Sequence, residues 1–361
     1  MRTNNLHLRE VKMRRGRLFL IGILILTTIL MVSSLGVCAK KTIRIGYAAP
    51  SLMDEGQVAI REGAYVTAKK FGWAFTTTDA ERDASKQINQ IESLLARGID
   101  ALVFVPVDSA ALTVSVEKAN KLGIPVITID RKTTGGKLLL TVQSDNYLAG
   151  KQAGEYMVKL LKRKYGEPKG LVLELQGALG TNVAQLRGKG FNDVMAKYPN
   201  IKVISKPTNW YPDKGAAITE DILTAHPELD GIYWHSDCIG AGVVPALERL
   251  GKLKLIGEPG HIFLVGIDGT RVMLGYIREK KVDATMSQPL LDHGKVALEF
   301  LRAHFQGEAI PTSGLVIEPG ALWSPAHIQM VNTGPLINLA TTPVDLTNVD
   351  DPRLWGNMKK K

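Results

Sequence analysis

The charged pair Asp130 and Arg131 stands where a predicted buried strand ends. The run Ile124–Ile129 is short, apolar and rich in β-branched residues, which is typical of such a strand. Two opposite charges at that place are costly to desolvate unless a site uses them. A carboxylate accepts hydrogen bonds from hydroxyl groups, and a guanidinium donates two at once. The pair therefore indicates a binding site for a polyhydroxy compound, with a surface ion pair as the alternative.

Further polar groups follow the other predicted strands or stand just beyond them. They are Asp54, Asp145, Asn146, Gln176, Arg187, Trp210, Ser236, Asp237, Asp268 and Gln288. Ligands of open parallel sheets bind at the carboxyl ends of the strands, so we expect these groups to converge. Charged side chains bond hydroxyls, and an indole covers the apolar C–H patch of a sugar. Four or five charge-assisted bonds of roughly 1.5–3 kcal/mol can supply the roughly 8 kcal/mol of micromolar affinity.

Several of these groups have structural alternatives. Asp268 and Gly269 are also typical of a turn that ends a strand. Trp210 could pack under a loop, and Asp237 could hold the backbone or cap the helix that follows it. The segment Gly177–Thr181 joins a strand to a helix and could bind phosphate, but it lacks the Lys-Ser/Thr of a P-loop.

Strand and helix patterns alternate from Thr42 onward, and this predicts the elements that position these groups. We expect an α/β fold with two similar Rossmann-like lobes, each with a parallel sheet, joined by hinge strands. Residues 42–144 with 289–317 are predicted to form the N-terminal lobe and residues 145–288 the C-terminal lobe. Residues 318–361 are predicted to cross back over both lobes as a tail. Two lobes joined in this way can hinge and enclose a ligand.

Some element boundaries follow from local signals. Helices are predicted over Val58–Phe71, Ala84–Arg97 and Ala110–Leu122, and a short crossing strand over Leu138–Val142. Asp83 is the expected N-cap of the second of these helices, and Gly98 is expected to stop it. The segment 252–261 is interpreted as an insertion.

The charge of the chain excludes a nucleic-acid partner. The net charge is +10 over 361 residues, and half of it comes from six basic residues against one acidic residue within residues 1–39. The remaining excess is too mild, and no basic stripe with interleaved aromatic residues is present.

Residues 1–39 are predicted to be an export signal. Basic residues precede the apolar run Leu18–Val32, and small residues then lead to a cleavage site after Ala39. An uncleaved membrane anchor and a lipoprotein attached at Cys38 are the alternatives. Cleavage would leave Cys238 without a disulfide partner, as a buried thiol rather than a nucleophile. The sequence shows no metal-ligand spacing and no Gly-x-Ser-x-Gly elbow, so we expect no metal, no cofactor and no catalysis.

Six stretches, taken together and in order, resemble the ribose-binding branch of the periplasmic sugar-binding proteins of ABC transporters, which have the type I fold. They are Ile127–Arg131, Ser144–Asn146, Glu174–Gly177 with Arg187–Phe191, Leu223–Pro227, Val265–Thr270 and Ala284–Gln288. The resemblance implies a periplasmic monomer that captures a sugar or polyol and delivers it to an inner-membrane ABC permease. It also implies sugar contacts from Asp130, Arg131, Arg187, Asp268 and Gln288, with Trp210 as a stacking aromatic.

The chain departs from the family pattern in its first lobe. Ser51–Gln57 contains no aromatic residue where the family places an asparagine and adjacent phenylalanines, and Asp54 takes the place of the amide. Ser236 stands where an asparagine is common. The ligand could be a smaller or more polar polyol, a modified sugar, a furanose or, through Asp54, a cation. Two other functions stay open: a sensor that feeds a chemoreceptor or histidine kinase, and a secreted sugar-processing enzyme.

Overall fold

The computed structural model describes residues 42–358, and helices and strands alternate through most of this range. The predicted signal segment lies outside the described residues. The helices are α1 (Glu55–Lys70), α2 (Ala84–Ala96), α3 (Thr113–Lys121), α4 (Asn146–Tyr165), α5 (Asn182–Met195), α6 (Pro212–Ala225), α7 (Asp237–Arg249), α8 (Arg271–Arg278) and α9 (Leu290–Phe305). The strands are β1 (Arg44–Ala49), β2 (Ala74–Asp79), β3 (Ala101–Phe104), β4 (Val126–Ile129), β5 (Leu140–Ser144), β6 (Gly170–Gln176), β7 (Ile201–Pro207), β8 (Gly231–Trp234), β9 (Phe263–Asp268), β10 (Ala284–Ser287), β11 (Gly314–Val316), β12 (Ala326–Val331), β13 (Gly334–Leu339) and β14 (Thr342–Val344).

The strands form two mostly parallel sheets, which confirms the predicted fold class. The first sheet has the order β11-β12-β13-β5-β4-β3-β1-β2, and the second has the order β14-β10-β9-β8-β6-β7. Strands β3, β4 and β8 to β10 are buried along their whole length because helices cover both faces of each sheet. In each sheet the order in which the strands are added reverses next to the first strand, between β1 and β3 in one sheet and between β6 and β8 in the other. Such switch points leave a crevice at the carboxyl ends of the strands.

The chain passes between the sheets at three places. It leaves the first sheet after β5, returns from β10 into α9, and passes again from β13 in the first sheet to β14 in the second. Helix α9 packs tightly on α1 because Gly63 and Gly294 allow the two backbones to touch. A Cβ at Gly63 would lie 2.0 Å from the carbonyl oxygen of Leu291.

The predicted tail, residues 318–361, contains three strands that the sequence analysis did not predict, and a fourth strand, β11, directly precedes it. Strands β11, β12 and β13 extend the first sheet, and β14 pairs antiparallel with β10. A short 3-10 turn follows at Trp355–Asn357. No helix among residues 42–358 is both long and apolar enough to cross a membrane.

Local signals placed most element ends within a few residues. Asp83 caps α2 by accepting a hydrogen bond of 2.9 Å from the amide of Lys86, as predicted. Gly98, with φ +72°, follows the end of that helix, as predicted. Helix α1 begins three residues before its predicted start, at Glu55, and α3 begins three residues after its own. Strand β5 lies two residues later than predicted, at Leu140–Ser144.

Candidate functional site

A cavity of about 430 Å³ lies where connections from the two sheets face each other. Its volume is within the range that small-molecule sites occupy. All eight side chains predicted as ligand contacts line it: Asp54, Asp130, Arg131, Arg187, Trp210, Ser236, Asp268 and Gln288. The structure therefore brings the predicted residues together. Their role as ligand contacts stays a prediction.

The pair Asp130 and Arg131 follows β4, as predicted, and is buried rather than on the surface. The Nε atom of Arg131 lies 3.5 Å from Oδ2 of Asp130, and its Nη1 donates to the carbonyl of Pro106 at 3.3 Å. Oδ2 of Asp130 also accepts a hydrogen bond of 3.0 Å from the side-chain amide of Gln57, on α1. Burial lowers the pKa of Arg131, and the neighbouring Asp130 and Asp54 carboxylates oppose that effect.

Asp268, the last residue of β9 in the second sheet, interacts with several groups of the site. Its Oδ2 accepts hydrogen bonds from the hydroxyl of Ser236 at 2.5 Å and from the amide of Asp237 at 3.0 Å. Its Oδ1 accepts from the side-chain amide of Gln288 and lies 3.6 Å from Nη1 of Arg187. Burial raises the pKa of Asp268 to about 6, although Arg187 and Ser236 act in the opposite direction. Two polar side chains and one cation thus orient one carboxylate.

Arg187 is held from three sides. Its Nε donates to Oδ1 of Asn146 at 2.9 Å, and Nη1 donates to the main-chain carbonyl of His235 as well as facing Asp268. The imidazole of His235 accepts from the amide of Gly177 at Nδ1 and donates from Nε2 to the buried Glu174 at 2.9 Å. Burial lowers the pKa of His235, so a neutral ring fits these bonds. Glu174 and His235 form a buried support behind the arginine.

Of the two interpretations of Asp237, the structure confirms that its side chain holds the backbone and not that it caps the following helix. Its Oδ2 accepts from the amides of Gly269 and Thr270 at 2.8 and 3.0 Å, and Oδ1 accepts from the indole of Trp234 at 3.1 Å. The cap of α7 is Ser236, whose hydroxyl accepts from the amide of Cys238. Burial, together with the charge of Asp268, raises the pKa of Asp237 to about 8.

Asp54 is engaged by an arginine that the sequence analysis missed. The carboxylate of Asp54 pairs with the guanidinium of Arg82, which follows β2. The same guanidinium lies over the ring of Tyr211, 4.6 Å from its centroid, and Tyr211 follows β7 of the second sheet. Burial raises the pKa of Asp54, and Arg82 and Arg131 counteract it. A basic residue just after a predicted strand was the available signal for Arg82.

Trp210 packs in the apolar cluster of the second sheet and also lines the cavity. Gly177 lies so close to the indole that a Cβ there would be 2.0 Å from Cη2. The guanidinium of Arg131 lies over the ring, 5.3 Å from its centroid. The packing interpretation is therefore confirmed, and stacking on a ligand stays a prediction. The side chain of Cys238 is half-buried, where a buried thiol was expected, and its sulfur lies 3.4 Å from the carbonyl of Trp210.

The glycine loop 177–180 serves packing between the two halves. The carbonyl of Gly180 accepts 3.1 Å from the amide of Ser109, which follows β3. A Cβ at Gly180 would lie 2.2 Å from a carboxylate oxygen of Asp108. The negative charge of Asp108 beside this loop opposes phosphate binding. Thr181 caps α5 through its side chain.

Three residues of the site have left-handed backbone. Asp130, Trp210 and Asp268 have φ values of +64°, +69° and +136°. Such conformations cost on the order of 1–3 kcal/mol each for residues other than glycine, and they cluster at functional sites. The surrounding contacts must therefore over-determine these positions.

Five side chains of the cavity wall carry a buried polar atom without a hydrogen-bond partner among residues 42–358. These atoms are Oε1 of Gln57, Nε of Arg82, Nε of Arg131, Nε1 of Trp210 and Oε1 of Gln288. Buried polar atoms are nearly always paired in proteins, and each of these five atoms can still form a hydrogen bond to a bound molecule. Within the same residues, no group of His, Cys, Asp and Glu side chains is arranged to hold a metal ion.

Comparison with known proteins shows which family the chain resembles. The model of a family described as periplasmic binding protein domain matches residues 45–309. The ribose import binding protein RbsB of Bacillus subtilis is 32% identical over 261 residues, which are 72% of this chain and 81% of that protein. The xylitol-binding protein of Mycolicibacterium smegmatis is 31% identical over 283 residues, 77% of this chain and 76% of that protein.

The fold is also similar to solved structures. A solute-binding protein of an ABC transporter from Mycobacterium smegmatis, with bound glycerol, matches with a TM-score of 0.72 and 26% identity. The match covers 86% of this chain and 96% of that one.

Proposed function

This chain belongs to the periplasmic binding protein family, and from that premise we propose that it captures a neutral sugar or polyol between its two sheets and delivers it to an ABC permease. The family consists of substrate-binding transport proteins rather than enzymes. The relatives named for ribose and for xylitol are named for polyhydroxy compounds of this kind.

The observation that carries the proposal is the pairing of each cavity arginine with a carboxylate. Arg82 pairs with Asp54, Arg131 with Asp130, and Arg187 with Asp268. The charges within these three pairs cancel, so the part of the wall that they form favours a neutral ligand. Since Asp54 already has a cation as its partner, a cationic ligand at that place is not supported.

A hydroxyl group is the complement of such a pair. It donates to the carboxylate and accepts from the guanidinium, so one hydroxyl can bridge both members. Each hydrogen bond to a charged group contributes about 1.5–3 kcal/mol net. Three bridged hydroxyls can therefore reach the roughly 8 kcal/mol of a micromolar complex after the cost of ordering the ligand.

The two walls of the cavity differ in polarity. Trp210, Tyr211, Pro212 and Val272 come from connections of the second sheet, whereas the first sheet contributes mainly polar groups and the largely exposed Met53. An apolar wall on one side suits a ligand with one C–H face. A furanose or an open-chain polyol meets that requirement better than a pyranose held between two aromatic rings.

We also propose a cellular setting for this activity. Residues 1–39 act as an export signal that is cleaved after Ala39, and the mature chain is a periplasmic monomer that docks on an inner-membrane permease. N-terminal sequencing of the protein exported by its host tests the cleavage site. Light scattering of the purified protein tests the monomer.

A ligand panel tests the function directly. The chain from Lys40 onward is heated with pentoses, hexoses, furanosides, alditols and glycerol, and the melting temperature is recorded as each concentration rises. A compound that binds the native state raises the melting temperature by mass action, and the rise continues with concentration. We expect such a rise for at least one neutral polyhydroxy compound, with calorimetry giving one site. No response to any compound, and no sugar released from the purified protein in mass spectrometry, would overturn the proposal.

A further inference from the structure

The last described residues of the chain pack directly behind Asp268. The indole Nε1 of Trp355 donates a buried hydrogen bond of 2.7 Å to the main-chain carbonyl of Asp268. A Cβ at Gly356 would lie 2.4 Å from the carbonyl oxygen of Gly269, so the two backbones touch. We call residues 345–358 the tail segment. The family model ends its match at residue 309, so this segment lies beyond the part of the chain that the family describes.

The backbone of Asp268 needs such support. Its φ of +136° is unfavourable for a residue with a side chain, and such conformations persist only where the surroundings fix them. The carbonyl of Asp268 accepts a second bond, of 3.0 Å, from the amide of Gln288. The Asp268 carboxylate, in turn, faces Ser236 and the side chain of Gln288. The two bonds to the carbonyl therefore help to set where the carboxylate stands.

The tail segment is itself anchored. Arg278 on α8 donates to the carboxylate of Asp350 at 2.7 Å and to the carbonyl of Val349 at 3.1 Å. Arg271, at the start of α8, donates to the carbonyl of Met358 at 2.6 Å. The ring of Trp355 also belongs to the apolar cluster of the first sheet, which includes Leu290 at the start of α9. Trp355 thus joins the two halves where the chain passes from β10 to α9.

We propose that Trp355 is a positioning residue for ligand binding, an inference that rests on the proposed function. It holds the carbonyl of Asp268 through its indole N–H and so keeps the Asp268 carboxylate aligned with Arg187 and Gln288. The tail segment is then a working part of the site rather than an appendage.

Hydrogen exchange tests the positioning step without any ligand. In the Trp355→Phe variant a smaller aromatic ring remains and the indole N–H is lost. The amides of Gly269 and Gln288, which bond to Asp237 and Asp268, are expected to exchange roughly 2- to 12-fold faster, the effect of losing one hydrogen bond. Amides of β1 and β3 should keep their rates. Unchanged exchange at both reporter amides would overturn the proposal.

Trp323→Phe is the matched control. Trp323 is a buried tail residue of the same apolar cluster, and its indole donates 2.8 Å to the carboxylate of Asp292, away from the cavity. This variant should leave both reporter amides unchanged. Equal acceleration in the two variants would indicate general loosening and contradict a specific role for Trp355.

Calorimetry with the compound that gives the largest shift in the panel tests the consequence. Trp355→Phe should weaken binding roughly 2- to 12-fold, and Trp323→Phe should not change it. Gly356→Ala, which keeps the indole but pushes the segment away from Gly269, should weaken binding in the same direction. Faster exchange with unchanged affinity would refute the positioning role while leaving the proposed function intact. If the panel yields no ligand, the proposed function fails, and the exchange data still decide whether Trp355 orders Asp268.

Discussion

Replacing Asp268 with asparagine tests whether the ionised carboxylate, rather than its shape, binds the ligand. Asparagine fills the same volume but carries an NH₂ group where one oxygen now accepts hydrogen bonds. Oδ2 of the Asp268 carboxylate accepts hydrogen bonds from the hydroxyl of Ser236 at 2.5 Å and from the amide of Asp237 at 3.0 Å, and Nη1 of Arg187 lies 3.6 Å from Oδ1. A ligand hydroxyl would lose a bond to a charged acceptor, which contributes about 1.5–3 kcal/mol. We therefore expect affinity to fall about 10- to 150-fold.

The stability of the free protein should respond differently. Burial raises the pKa of Asp268 from 3.8 to about 6, so the folded state binds this proton more tightly than the unfolded state. Stability from this group is then highest below about pH 4 and declines as pH rises through 6. At pH 7.5 the ionised carboxylate therefore lowers the stability of the free protein, and this pKa already includes the opposing effects of Arg187, Ser236 and the amide of Asp237. Because asparagine carries no charge to bury, the free energy of unfolding should not fall in parallel with the affinity.

Calorimetric titration at pH 7.5 measures the affinity, and urea unfolding without ligand measures the stability. Asp230→Asn is the control, because Asp230 is a buried carboxylate outside the cavity that accepts 2.9 Å from the amide of Leu171. It should lose stability and keep its affinity. Binding by Asp268→Asn within threefold of the original protein would refute the reasoning, and so would an equal loss of affinity in the control.

Three further outcomes follow from the contacts of the site. Affinity should fall below pH 6, by at most tenfold per pH unit, as Asp268 takes up a proton; calorimetry between pH 5 and 7 measures this, and a flat profile would contradict it. Arg82→Ala leaves the carboxylate of Asp54 buried without its cation and should destabilise the protein by about 1–3 kcal/mol in urea unfolding, with partial recovery on adding Asp54→Asn. No recovery in the double variant would show that the pair is not coupled. Glu174→Gln disturbs the bond to His235, whose carbonyl holds Arg187, and should lower both the stability of the protein and its affinity for the ligand. A loss of stability with unchanged affinity would show that Glu174 and His235 do not affect ligand binding.

The predicted site residues came together for a simple geometric reason. Parallel strands present their carboxyl ends at one edge of a sheet, so polar groups just after strands meet there. Asp130, Ser236, Asp268 and Gln288 were found by this rule. Arg82 also follows a strand, but β2 is half exposed and rich in threonine, and the sequence analysis did not select the basic residue after it.

Other residues could not be found in this way. Gln57 reaches Asp130 from the first turns of α1, whose start was placed three residues too late. The three strands of the tail are three to six residues long, and two of them, β13 and β14, pair with strands far away in the sequence, β5 and β10. Short strands of this kind carry little periodicity, because their stability comes from the sheet that they join.

The sequence by itself determined the alternation of strands and helices and the chemical types that stand at strand ends. Both are local properties, since side-chain period and strand termination depend on neighbouring residues. Only the tertiary structure decided which carboxylate pairs with which arginine. Asp54 meets Arg82 and Asp268 meets Arg187 across long stretches of chain, and Trp355 reaches Asp268 from the far end of the described residues. Hydrogen bonds and ion pairs depend on distances of a few ångströms, and sheet packing sets those distances.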